Sequence, residues 1–270
     1  MTAARNEPPV ALRRLLPGAG ELTADELVAE LRPWELASAQ RPHVAVNMVH
    51  TCDGRAAVHG RTGPISSPAD RQLFHALRTR VDAVMVGAGT LRVERYGRMV
   101  PDAGRREQRR LAGLAPDPLA IVVSGSLDLP ADLPLLQDPA SHVVIVTSAE
   151  HSLDGVRARV EYLRSATVDL PGALAHLRDA HGVRAILCEG GPHLNASLLA
   201  QGLIDELFLT TVPVLAGAAG ALSIMDGAPL QATLALSLRW MLEHEGELFA
   251  RYAIAAAAAV ADGVKLSPSP

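Results

Sequence analysis

The stretch Val81-Asp82-Ala83-Val84-Met85-Val86-Gly87-Ala88-Gly89-Thr90 decides how the rest of the chain is read. An apolar run with branched valines reads as a buried strand. It breaks into Gly87-Ala88-Gly89-Thr90, and the polar, arginine-rich 91–97 follows. Two glycines at a strand end let the backbone approach a bulky anion, and Thr90 is placed to cap a helix turn beginning there.

Working outward, the same grammar recurs. Thr23-Ala24-Asp25-Glu26 opens a short amphipathic helix that Pro33 ends, after a stretch 1–22 that reads as a loose arm. His43–Val49 is a strand, followed by the turn Cys52-Asp53-Gly54 and a polar loop reaching Pro64. Ser67-Pro68 begins a helix, with serine as cap and proline in the first position. Leu119–Val123, His142–Val146, Val183–Cys188 and Glu206–Val212 read as further strands, with helices over Pro171–Ala180 and Leu194–Leu199. Leu234–Leu242 and Leu248–Ile254 form a terminal hairpin around His244-Glu245-Gly246-Glu247. Strands alternating with helices, then antiparallel strands, predict a mixed, mostly parallel α/β sheet covered on both faces. The expected organisation is an arm over 1–41, one domain over 42–255 and a disordered tail over 256–270.

Composition narrows the function. A net charge of −4 gives no global basic field for nucleic acid or anionic membrane. Eight aromatic residues in 270 argue against a base-stacking surface. No run approaches the ~18 apolar residues of a membrane span, and no signal-peptide core is visible. Cys52 and Cys188 lie far apart without metal-ligand spacing, so a reduced cytoplasmic protein without a metal site is expected. The only lysine is Lys265, which disfavours Schiff-base chemistry and the P-loop.

Two strand ends carry glycine-rich turns: Gly87-Ala88-Gly89-Thr90 and Glu189-Gly190-Gly191-Pro192. Backbone amides at two helix N-termini can hold a pyrophosphate without lysine. Neither turn spells G-x-G-x-x-G, and each glycine could simply permit a tight turn. Asn47, Asp53, Gly54, Ser66 and Ser67 crowd the end of the first strand; an Asx-turn at Asp53-Gly54 and a helix cap at Ser67 would explain those residues without function. Glu189, closing a buried strand, is a candidate proton donor or substrate anchor, or else a structural carboxylate. The run Arg105–Arg110 reads as a solvated face that could also reach a phosphate.

In order and spacing, Asn47 with Asp53-Gly54, Ser66-Ser67-Pro68, Asp82…Thr90, Glu189-Gly190-Gly191-Pro192 and Leu203–Leu207 with Pro213…Gly217 resemble the riboflavin-biosynthesis pyrimidine reductase family. The resemblance runs from about residue 42 to 254 and implies a single dihydrofolate reductase-like domain. It also implies a homodimer that uses NADPH to reduce 5-amino-6-(5-phosphoribosylamino)uracil to its ribitylamino form. By the same resemblance Gly87, Gly89, Thr90, Glu94, Ser124 and Val168 lie on the cofactor side. Gly190, Gly191, Pro192 and His193 form the phosphate-binding turn. Asn47, Asp53, Thr62, Ser66, Arg78 and Glu189 fall on the substrate side, with Asn47 and Glu189 as the catalytic pair and Arg78 gripping the substrate phosphate.

The sequence departs from the family at several points. Thr51-Cys52-Asp53-Gly54 stands where many relatives read Ser-Leu-Asp-Gly. Asn47 matches archaeal-type members rather than the lysine common in bacterial bifunctional ones. Arg95 replaces an acidic residue, and with Cys52 it leaves room for a pterin-like, dihydrofolate-like or other heterocyclic substrate; a non-catalytic NADP-binding module is a separate alternative. The loop after Val123 offers Ser124 and Ser126 but no arginine for a 2′-phosphate. The deaminase zinc signature is absent from these residues.

Overall fold

The structure, a computed structural model, describes residues 8–217 and 222–254. The described chain runs β1 (Ala11–Leu16), β2 (Gly20–Thr23), α1 (Ala24–Ala29), β3 (His43–Thr51), α2 (Pro68–Leu77), β4 (Ala83–Gly87), α3 (Ala88–Glu94) and α4 (Ala103–Leu111). It continues through β5 (Leu119–Val123), α5 (Pro134–Gln137), β6 (His142–Thr147), β7 (Arg159–Arg164), α6 (Leu170–Ala180) and β8 (Ala185–Cys188). It closes with α7 (Pro192–Ala200), β9 (Glu206–Val212), β10 (Leu236–His244) and β11 (Glu247–Ile254).

One sheet of eleven strands holds these elements, in the order β2-β1-β10-β11-β9-β3-β8-β4-β5-β6-β7. From β9 to β7 neighbouring strands are parallel, while β11, β10, β1 and β2 add on as antiparallel strands. The central strands are buried on both faces, which is why their sequences are continuous apolar runs. Along β4 and β8, Val84, Val86, Ala185 and Leu187 pack into the core under α1, α2 and α3. Ala83, Met85, Ile186 and Cys188 pack into the opposite core under α6 and α7. The helices that follow β4 and β8 therefore leave on opposite sides of the sheet.

That divergence places a crevice. After β4 the chain moves outward to β5, β6 and β7, then returns to insert β8 between β3 and β4 before crossing to β9. The carboxyl ends of β4 and β8 form a topological switch point, where open α/β sheets bind ligands.

Local signals explain the boundaries. Thr23 and Glu26 make a reciprocal capping box on α1, and the Ser67 hydroxyl caps α2 by accepting the Asp70 amide at 3.0 Å. The hairpin turn is two residues, Glu245-Gly246, both at positive φ, as the strand twist requires.

Several expectations need correction. The stretch 1–22 is not a loose arm where it is described: β1 pairs with β2 and β10, and Leu12, Leu27 and Val28 lie in the main core. Strand β7 went unread. Gly87, not Thr90, is the N-cap of α3, and Thr90 sits inside its first turn. The run Arg105–Arg110 belongs to α4, and its Arg109 is fully buried, donating to the carbonyls of Val81 (2.8 Å) and Ala115 (2.8 Å). The expected disordered tail lies outside the described residues. Among the described residues no helix is long and apolar enough to cross a membrane, and no group of His, Cys, Asp and Glu is arranged to hold a metal ion.

Candidate active site

The two glycine turns meet directly. The Gly87 amide donates to the Gly190 carbonyl at 2.7 Å, joining the exits of β4 and β8. Glycine eases that approach at three positions. A Cβ on Gly87 would lie 3.2 Å from the Gly191 nitrogen. One on Gly191 would lie 2.7 Å from the Thr90 hydroxyl oxygen, and Gly190 combines a φ of +85° with a Met48 sulfur 3.2 Å from its missing Cβ. Gly89 is different, because nothing lies within 4 Å of where its Cβ would be.

Beside this junction lies a cleft of about 600 Å³. Its walls include Gly87, Gly89, Thr90 and Glu94 from the α3 side, Ser124 to Ser126 after β5, Val168 and Leu170 before and at the start of α6, and Gly191, Pro192 and His193 at α7. Met48, Ala56, Thr62 and Leu222 border it elsewhere. Neither α3 nor α7 has a side-chain N-cap, so the first-turn amides of α3, and those of His193 and Leu194 after the amide-less Pro192 in α7, are left for a ligand or water. Glu94 fixes one rim: its carboxylate accepts from the Thr62 amide (3.0 Å) and hydroxyl (2.9 Å).

At the inner end the chain turns from open to sealed. The two oxygens of Glu189 accept Nε and a terminal nitrogen of Arg78, each at 2.7 Å, and Arg78 also donates to the Met99 carbonyl at 2.6 Å. The two side chains are 1% and 3% exposed, so the pair is shielded from water. Burial alone would lower the Arg78 pKa; the charge and hydrogen bonds of Glu189 outweigh it and the net shift is upward. The buried Tyr96 phenol, beside the same carboxylate, is pushed well above its usual range by burial and then by that negative charge.

Of the residues expected at a site, eleven line the cleft: Gly87, Gly89, Thr90, Glu94, Ser124, Val168, Gly191, Pro192, His193, Thr62 and Glu189. Gly190 stands behind the wall as the strand junction. Arg78 is not positioned to grip a substrate phosphate, because its guanidinium is sealed against Glu189. Glu189 in turn has both oxygens engaged as acceptors, which argues against a proton donor. Asp53 ties loops together: it accepts from the Thr51 hydroxyl and from the amides of Ala216 (3.1 Å) and Gly217 (2.8 Å), and these bonds lower its pKa. Ser66 donates to the buried Asp70 at 2.6 Å. Asn47 faces the opposite side of β3 from Met48, half-buried, with no side-chain hydrogen bond among the described residues. Tyr96 and Arg92 were missed by sequence reasoning. Arg92 was findable, lying one helical turn beyond Ala88; Tyr96 carries no local signal.

A family model described as the RibD C-terminal domain matches residues 42–246. The chain belongs to that family. It is 32% identical over 192 residues to the 2,5-diamino-6-ribosylamino-4(3H)-pyrimidinone 5′-phosphate reductase of Archaeoglobus fulgidus, covering 69% of this chain and 87% of that one. It is 29% identical to the riboflavin biosynthesis protein RibD of Mycobacterium tuberculosis, over 83% of this chain but 57% of the relative. The fold is that of a pyrimidine reductase-like protein from Corynebacterium diphtheriae, with a TM-score of 0.69 at 23% identity over 87% of this chain and 100% of that one. In this family member the cleft at the switch point is the candidate active site.

Proposed function

We propose that this chain is an oxidoreductase of riboflavin biosynthesis that uses NADPH to reduce a 6-ribosylaminopyrimidinone 5′-phosphate at its sugar. The observation that carries the reading is the junction of two uncapped helix N-termini across the Gly87–Gly190 hydrogen bond, in a chain of the RibD C-terminal domain family. The site suits a dinucleotide: about 600 Å³ of space, an open position at Gly89 and free amides on both sides. When bound, the cofactor supplies a hydride to the sugar C1 of an imine-like substrate tautomer.

The chain's own residues bind and orient. The first turns of α3 and α7 offer amides to the pyrophosphate. Ser124 and Val168 stand along the groove for the rest of the nucleotide, and Thr90 and Glu94 shape its α3 side. The Arg78–Glu189–Tyr96 cluster gives the inner end a fixed charge arrangement that needs no reorganisation during reaction. Asn47 is half-buried on the face of β3 opposite the cleft residue Met48, off the cleft wall, and has no assigned part in this cleft. Holding the sugar near the hydride source is the main task, and positioning of this kind lowers barriers substantially.

The pterin-like alternative loses its motive in this structure. Arg95 points away from the cleft wall, exposed and ion-paired with Asp132 at 3.0 Å, and Cys52 is not on the wall either. The archaeal relative's name favours the diaminopyrimidinone over the uracil named above. Mixing purified protein and NADPH with each compound and following the reduced nicotinamide band separates the two. Oxidation with neither would contradict the assignment, as would failure to restore riboflavin-independent growth to a strain lacking the reductase. A cytoplasmic homodimer is part of the same proposal, and sedimentation of the purified chain tests the oligomer.

A further inference from the structure

The loop after β5 contains no arginine, yet a guanidinium stands beside it. Register places Gly87 opposite Val123, so the first residues of α3 and the Ser124-Gly125-Ser126 turn leave adjacent strands side by side. Helical side chains lean toward the helix N-terminus, which returns Arg92 over the turn at Ala88 and toward that loop. Arg92 lines the cleft with Ser124, Gly125 and Ser126, and one terminal nitrogen donates to the Asp128 carbonyl. Among the described residues it is the only arginine on the wall, and no lysine is there.

We infer that Arg92, with the hydroxyls of Ser124 and Ser126, is the 2′-phosphate determinant that makes this cleft prefer NADPH to NADH. The inference rests on the nucleotide-cleft reading above and adds to it the source of specificity. A ribose bearing a 2′-phosphate is recognised by a nearby arginine, and one without it by a free carboxylate on the two hydroxyls. Among the described residues the acidic residues at the wall are Glu94 and Glu189, and both carboxylates are engaged: Glu94 holds Thr62, and the sealed Glu189 holds Arg78. Two serines and one arginine remain at the β5 end. A guanidinium matches phosphate geometry with parallel donors, and Arg92 has donors beyond the one on Asp128.

Asp128 is the counter-argument, since its carboxylate lies 3.5 Å from Arg92 and would oppose a phosphate there. It is 78% exposed and off the cleft wall, whereas the Arg92 side chain is 38% exposed. The backbone carbonyl of Asp128, rather than its charge, is the closer anchor for Arg92.

The test is calorimetric titration of wild type, Arg92→Ala, Arg92→Lys and Asp128→Asn with NADPH, NADH, 2′,5′-ADP and 5′-AMP. Wild type should bind the 2′-phosphorylated member of each pair at least about tenfold tighter, in line with charge-assisted hydrogen bonds to a phosphate. Arg92→Ala should weaken NADPH and 2′,5′-ADP by about ten- to a hundredfold while leaving NADH and 5′-AMP within about twofold. Arg92→Lys should recover part of that loss, and Asp128→Asn should hold or improve NADPH affinity. Equal binding of NADPH and NADH by wild type, or equal loss of both in Arg92→Ala, overturns the inference while leaving the cleft assignment standing. Binding of no nucleotide by wild type would overturn both. An unchanged melting temperature in Arg92→Ala shows that the fold is intact.

Discussion

The exit of β8 faces two different environments within three residues. Glu189 turns inward to a cluster in which every charge has its partner: Arg78 on both oxygens, Met99 on the remaining arginine arm, Tyr96 alongside. Gly191 turns outward to a wall with uncapped amides and empty space. One region builds the site and the other is left to bind. The difference separates residues whose loss unfolds the protein from residues whose loss empties the cleft.

The largest effect is expected where the sealed region is broken from one side. Glu189→Ala strands a buried guanidinium and should cost about 3–5 kcal/mol of stability by denaturant unfolding. The double change Arg78→Met with Glu189→Met should be less destabilising than either single change. If the double loss equals the sum of the two singles, the pair is not a coupled unit.

Next comes the junction itself. Gly191→Ala places a methyl 2.7 Å from the Thr90 hydroxyl oxygen and should destabilise by about 1–3 kcal/mol, as overpacking does. Thr90→Ala in the same chain should return part of that loss, and no return would show that the clash is elsewhere.

A smaller, pH-dependent effect belongs to the edge of the sealed region. His75 on α2 is pushed down from 6.5 to about 3, first by burial and then by the positive charges of Arg78, Arg105 and Arg71. The unfolded chain takes up this proton first, so the stability it contributes is present above pH about 6.5 and is lost progressively as pH falls toward 3. His75→Gln should flatten the decline over that window, measured by unfolding at a series of pH values. An unchanged slope would assign the decline to other groups.

The parallel half of the sheet was legible because its strands are buried on both faces and so carry uninterrupted apolar runs such as Val84 to Val86. Strand β1 was not, because Arg13 and Arg14 interrupt its pattern and its pairing with β10 spans most of the chain. Strand β7, at the sheet edge, alternates charged and apolar residues only from Arg159 to Tyr162 before Leu163 breaks the pattern, which is too short a signal. The wall residues after β4 and β8 were legible, since strand ends at glycine turns are local features. What Arg78 and Glu189 do to each other was not, because a motif position names a residue type and only tertiary placement gives its partner. The same holds for Gly190, whose valine variant would strain a left-handed backbone and strike Met48, so it tests folding rather than nucleotide binding.

Gly89 offers the cleaner test of the claim that the cleft between the two turns binds the nucleotide. A Cβ there would have no neighbouring atom within 4 Å outside its own helix backbone, on a residue that lines the cleft. Calorimetric titration of Gly89→Val with NADPH should show affinity at least about tenfold below wild type, a difference of about 1.4 kcal/mol, with an unchanged melting temperature. Wild-type affinity in a correctly folded Gly89→Val protein would contradict the account.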